Sequence, residues 1–130
     1  MIRTKRVYEA PVREDGTRVL VDRVWPRAVK KDAARVVQWM RELGPSDELR
    51  QFFNHDPARW KEFRKRYRQE LRSASARQML KELAAMAGND TVTLVYGAKD
   101  KTHNQAVVLR EVLERMMPEA SKEKKESRRS

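Results

Sequence analysis

Two apolar runs, "TRVLVDRV" at residues 17 to 24 and "TVTLVYG" at residues 91 to 97, most constrain what this chain can fold into. Both are too rich in valine and leucine for strands with one face in water, so both are expected inside a sheet. The long interval between them has helical rather than alternating periodicity. Parallel neighbours need a crossover of a dozen or more residues, and helices supply one. The expected fold is therefore α/β: a small three-layer sandwich with a short, mainly parallel sheet flanked by helices.

The remaining segments fit around that pair. "IRTKRVY", residues 2 to 8, alternates well enough for an edge strand, and "EAPVREDGT" after it carries the Pro and Asp-Gly punctuation of a loop. "KKDAARVVQWMRELG", residues 30 to 44, fits either a short helix or an extended piece around "VVQWM" after one helical turn; Gly44 and Pro45 close it. Ser46 can cap a helix through "DELRQFF", and Asp56 with Pro57 marks a second helix start. Trp60, Phe63, Tyr67 and Leu71 follow at helical spacing and share one face, which should meet the core. A further helix over roughly residues 74 to 87 should bury Met79, Leu80, Leu83 and Met86. A last one, from about His103 to Met117, carries the stripe Ala106, Leu109, Val112, Leu113 and Met116. Residues 1 to 118 are read as a single domain and "EASKEKKESRRS", residues 119 to 130, as a disordered basic tail.

Composition narrows the chemistry. The chain has no cysteine, so thiol nucleophiles, thiolate zinc sites and iron–sulfur clusters are excluded. A formal charge of +11 points to an acidic partner. No apolar run approaches the 18 residues of a membrane span, and "MIRTKRVYEA" lacks the apolar stretch of a secretory signal. A cytoplasmic protein without membrane contact is the expectation. The two histidines lie far apart in sequence, and no metal site is expected. Neither a cofactor nor an oligomeric state is indicated.

In open parallel sheets ligands collect beyond the carboxyl ends of the strands. The first central strand delivers Asp22, Arg23, Trp25 and Arg27 there, and the second leads through Gly97 into Lys99, Asp100, Thr102, His103 and Asn104. Gly97 permits close backbone approach, Thr102 offers a capping oxygen, and the amides opening the last helix favour an anion. The pattern reads as a cleft for a small anionic ligand, phosphorylated or nucleotide-like. Arg23, Trp25, Arg27, Lys99, Asp100, Thr102 and Asn104 would bind it, and Asp22 and His103 are the candidates for moving a proton. Each also has a plainer role: Asp22 in an ion pair, Trp25 packed beneath a loop, His103 at a helix start. A second reading uses Arg64, Lys65, Arg68 and Arg72, a basic helical face, together with the tail, to bind nucleic acid. An interaction module without cleft chemistry is the third.

The segments "GTRVLVDRVWPR", "LGPSDELRQFFNHDPARWKEFRKRYRQEL" and "VTLVYGAKDKTHNQAVVLREVL" resemble the YeaO-like branch of the domain of unknown function 488 family, from about Arg6 to Glu114. Matched position by position, the resemblance implies Asp22, Arg23, Trp25, Pro26, Arg27, His55, Asp56, Trp60, Phe63, Tyr67, Asp100, His103 and Asn104. It implies an α/β fold and brings no assigned reaction. Ala28 departs from the glycine usual there, which bears on the turn after Arg27, and the lysine-rich tail falls outside the resemblance.

Overall fold

The computed structural model describes residues 1–117. The tail expected over 119–130 lies outside them. Four strands, β1 (Ile2–Arg6), β2 (Thr17–Leu20), β3 (Gln38–Trp39) and β4 (Val92–Tyr96), form one sheet in the order β1-β4-β2-β3. All neighbours are parallel, with Val19 opposite Leu94 and Leu20 opposite Val95 at the centre. The helices are α1 (Lys31–Ala34), α2 (Asp47–Phe53), α3 (Trp60–Glu70), α4 (Ala74–Asn89) and α5 (Gln105–Met116). The α/β class, the parallel central pair and the edge position of β1 all agree with the sequence.

The side-chain period of two sorts each strand between two unequal layers. Ile2, Val19, Val21, Leu94 and Tyr96 meet the main core, which Phe63 and Tyr67 of α3, Leu80 and Leu83 of α4, and Leu109 and Leu113 of α5 complete. On the other side Leu20 and Val95 pack with Val7, Ala34, Trp25, Val36 and Trp39. The helix on that side has only four residues, so the irregular chain from Trp25 to Trp39 provides most of the covering layer. The Lys30–Gly44 segment takes the second of its two expected forms, one helical turn followed by an extended piece.

The same thin layer buries charge. Asp15 and Arg18 are almost fully enclosed and joined at 2.7 Å, Lys5 reaches the same carboxylate at 3.1 Å, and the Arg18 Nε donates to Ala34 O. Burial pushes the Asp15 carboxyl up, but the Val12 amide and the two cations together hold it below its usual range. The Asp15 backbone carbonyl also accepts from Thr93 Oγ1 of β4, so the residue joins β1, β2 and β4.

Helix starts follow the capping residues read from the sequence. Ser46 accepts from Leu49 N and Asp56 from Ala58 N, while Ser73, which the sequence did not single out, caps α4 by accepting from Ala76 N. A single 3-10 turn at Pro57–Arg59 separates the Asp56 cap from α3. One expectation is corrected: β2 ends at Leu20, four residues short of the predicted 24. Val21 N still donates to Val95 O at 3.1 Å, but Gly97 N, which an uninterrupted parallel ladder would give to a β2 carbonyl, bonds to the Asp22 side chain instead. The chain leaves the sheet at that point.

Removing the carboxylate that joins β1 and β2 should leave Arg18 buried without an ionic partner. Asp15→Ala is expected to cost about 3–5 kcal/mol in urea unfolding; a loss below ~1 kcal/mol would show that the ion pair contributes nothing net.

Candidate functional site

Asp22 is the second residue beyond β2 and faces the loop that follows β4. Its Oδ2 accepts from Gly97 N at 2.9 Å and its Oδ1 accepts a short hydrogen bond from the Gln105 side-chain amide, at the first residue of α5. Its backbone carbonyl accepts from Trp39 Nε1 at 2.7 Å. Burial raises the carboxyl to about 6; the bonds from Gly97 and Gln105 and the charge of Arg50 oppose that rise without cancelling it. Gly97 has to be small here, since a Cβ would stand 2.9 Å from Asp22 Oδ2.

Around this carboxylate opens a cleft of about 340 Å³, within the range of small-molecule sites. Asp22, Arg23, Trp25, Arg27, His103 and Asn104 border it, so the two strand ends share one opening. Lys99, Asp100 and Thr102 do not border it: Lys99 is exposed, and the other two shape the loop.

Asp100 is the hub of that loop. Its carboxylate accepts from the backbone amides of Thr102 and His103, from Thr102 Oγ1, and from His103 Nδ1 at 2.9 Å. The Thr102 amide and the His103 ring, foremost among these, hold the carboxyl well below the usual range. An ionised partner fixes the His103 proton on Nδ1, while the ring meets Trp60 edge to face at 5.2 Å. Thr102 therefore does not cap the last helix. Asn104 does, its side chain accepting from Val107 N while its amide donates to Asp100 O. The helix starts at Gln105 rather than His103 because Asp100 holds the residues before it in a turn.

Two further residues are structural as well as cleft-lining. Arg23 donates to the carbonyls of Pro45 at 3.0 Å and Gly44 at 2.8 Å, which fixes the chain entering α2. Trp25 donates to Val29 O at 2.7 Å and packs edge to face on Trp39, so the indole belongs largely to the thin core layer. Arg27 is exposed, and its side chain has no hydrogen-bond or ionic partner among the described residues; its carbonyl accepts from Tyr8 Oη. The basic face of α3 is partly neutralised, because Arg64 and Arg68 both bond to Glu111 of α5, at 2.5 and 2.7 Å. Lys65 and Arg72 remain exposed.

Sequence reasoning missed Arg50, Gln105, Tyr8 and the apolar wall of Phe53 and Phe63; His55, which the family resemblance implied, also borders the cleft. His55 follows Asn54 in left-handed backbone, φ 55 after φ 45, which turns the chain between α2 and α3 at the cleft edge. Gln105 had a signal: it directly follows the Asn104 cap. Arg50 had none, since it reads as an ordinary solvent position of a short helix and pairs with Asp47. Among the described residues no three histidine, aspartate or glutamate side chains could together hold a metal ion, and no helix is long and apolar enough to cross a membrane.

Fold and site together define a small parallel α/β domain with a polar cleft at its central strand ends. The chain belongs to the DUF488 family: the model described as the inactive DUF488-N3 subclade matches residues 1–130, extending past the Arg6–Glu114 motifs through the tail. It is 43% identical over 108 residues to the uncharacterized protein YeaO of Escherichia coli (strain K12), covering 83% of this chain and 92% of that one. It is 41% identical over 112 residues to the uncharacterized protein Rv3073c of Mycobacterium tuberculosis (strain ATCC 25618 / H37Rv), covering 86% and 92%. No solved structure matches the chain.

Ala28 supplies one test. It stands at φ 61, where glycine is favoured, so Ala28→Gly is expected to stabilise the fold by roughly 0.5–1 kcal/mol in urea unfolding; a loss would mean that the turn is unstrained. Asp22 supplies another. Its folded value of about 6 lies above the ordinary 3.8, so the folded chain binds this proton more tightly than the unfolded one. The resulting stability is complete below pH 3.8 and is lost as pH rises through 6, a difference on the order of 3 kcal/mol. Asp22→Asn should remove that dependence and melt several degrees higher than the parent at pH 7.5; parallel melting profiles from pH 4 to 7.5 would refute the assignment.

Proposed function

We propose that this DUF488 domain binds a small anionic ligand, phosphorylated or nucleotide-like, in the cleft beyond β2 and β4. The distribution of charge in the opening carries the reading. Its one carboxylate among the described residues, Asp22, is engaged by Gly97 and Gln105, whereas Arg27 and Arg50 are exposed at the edge, with His55 beside them. Guanidiniums that can offer paired N–H groups suit phosphate and carboxylate oxygens. The lined volume suits a metabolite rather than a polymer.

The description of the matching subclade as inactive favours binding over turnover. Asp22, raised to about 6, and His103, oriented by Asp100, are the groups that would move protons if turnover occurs. A cytoplasmic setting suits a cysteine-free chain that binds a phosphorylated metabolite. The nucleic-acid alternative is weakened by the Arg64–Glu111–Arg68 bridge, which occupies half of the basic face it requires.

A thermal-shift and calorimetric panel of inorganic phosphate, phosphomonoesters and nucleoside monophosphates tests this. At least one should raise the melting temperature, and Arg27→Ala and Arg50→Ala should each weaken its binding about tenfold or more. Lys65→Ala and Arg72→Ala should leave it unchanged. The proposal fails if no compound binds, or if the arginine variants respond like the parent. Salt-dependent DNA or RNA binding abolished by the α3 variants alone would support the alternative.

A further inference from the structure

The cleft is graded by depth and polarity. Asp22, Gly97 and Gln105 are partly buried on its floor beside the buried ring of Phe63, whereas Arg27 and Arg50 stand exposed at its edge. A ligand anion cannot rest against the floor carboxylate in its ionised form, because like charges a few ångströms apart in a half-buried site repel strongly. The anionic end must therefore face the rim. What the floor can accept follows from counting lone pairs. Each carboxylate oxygen has two, and in Asp22 each is met by one protein donor, the Gly97 amide on Oδ2 and the Gln105 side chain on Oδ1. One acceptor position on each oxygen is left for the ligand. Both protein donors are uncharged, and Arg50 acts on the carboxylate through space without a hydrogen bond to it.

Resting on the reading of the cleft as an anion site, we infer that the ligand is a phosphate ester of a polyhydroxylated small molecule, a sugar or polyol phosphate. Its phosphate lies at the Arg27–Arg50 rim, and a hydroxyl at its other end donates to the open acceptor positions of Asp22. The site thus selects for a hydrogen-bond donor at a distance from the anion, and the Gln105 amide orients the carboxylate that reads it. A simple phosphate-binding patch would show no such preference.

Matched probes separate the two ideas. Ribose 5-phosphate and tetrahydrofurfuryl phosphate carry the same phosphate and ring oxygen, but the second has no hydroxyls. Calorimetry on the full chain at pH 7.5 is expected to show ribose 5-phosphate binding about tenfold tighter or more, as a hydroxyl bonded to a carboxylate should give. Asp22→Asn, checked for folding by circular dichroism, should reduce the preference to about twofold while retaining affinity for tetrahydrofurfuryl phosphate. Equal binding of both probes to the parent overturns the inference and leaves the anion reading intact, as does a preference that survives Asp22→Asn. Failure of both probes to bind at millimolar concentration overturns the inference and the anion reading together. Equal binding by the parent overturns the inference even if the variant does not fold.

Discussion

A single carboxylate ties together the parts that make this molecule more than a packed sheet. Asp22 takes the Gly97 amide that would otherwise continue the β2–β4 ladder, and it holds the first side chain of α5. The sheet opens at this bond. Because β2 and β4 run parallel, the chain segments leaving them diverge from one edge, and the cleft is the space between. The tie has a cost, since burial raises the carboxyl to about 6 and its ionised form weakens the fold at neutral pH. The proposed ligand site rests on this residue at the floor of the cleft.

The high positive charge has a different meaning in the structure than in the composition. Much of the arginine serves as internal scaffolding. Arg6 donates to Ala98 O, Arg18 to Ala34 O, and Arg23 to Gly44 O and Pro45 O, while Arg64 and Arg68 share Glu111. These forked side chains satisfy carbonyls in a chain with short strands and long irregular connections, where the backbone cannot satisfy itself. These guanidiniums keep their charge but have donors already engaged, whereas the Arg27 side chain at the cleft rim is unpartnered among the described residues.

The two sides of the sheet divide the work. The helical side supplies the thick apolar core, with stacked Phe53, Phe63 and Tyr67 continuing from the cleft wall into the interior. The thin side is held by an enclosed ion pair and an indole pair rather than by a long helix. That arrangement leaves the Arg23–Val29 segment irregular, and its turn at Ala28 uses the left-handed backbone for which glycine would be the easier residue.

Local sequence determined the elements whose causes are local. Ser46 and Asp56 cap where they were read to cap, the Trp60–Leu71 stripe faces the core, and the apolar density of the two central strands forced them into the sheet interior in parallel order. The family motifs located Asp22, Arg27 and His103, and all three reach the cleft. Only tertiary structure decided the rest. Whether Asn104 or Thr102 caps α5 depended on which oxygen Asp100 captured, and the early end of β2 depended on Gly97 finding a side chain. Arg50 and Gln105 entered the site because helices distant in sequence meet there, and Arg64 and Arg68 left the basic face because Glu111 packs against them. Capping and periodicity act within a few residues and so are written in the chain; pairing among charges depends on distances that exist only after the sheet and its helices have assembled.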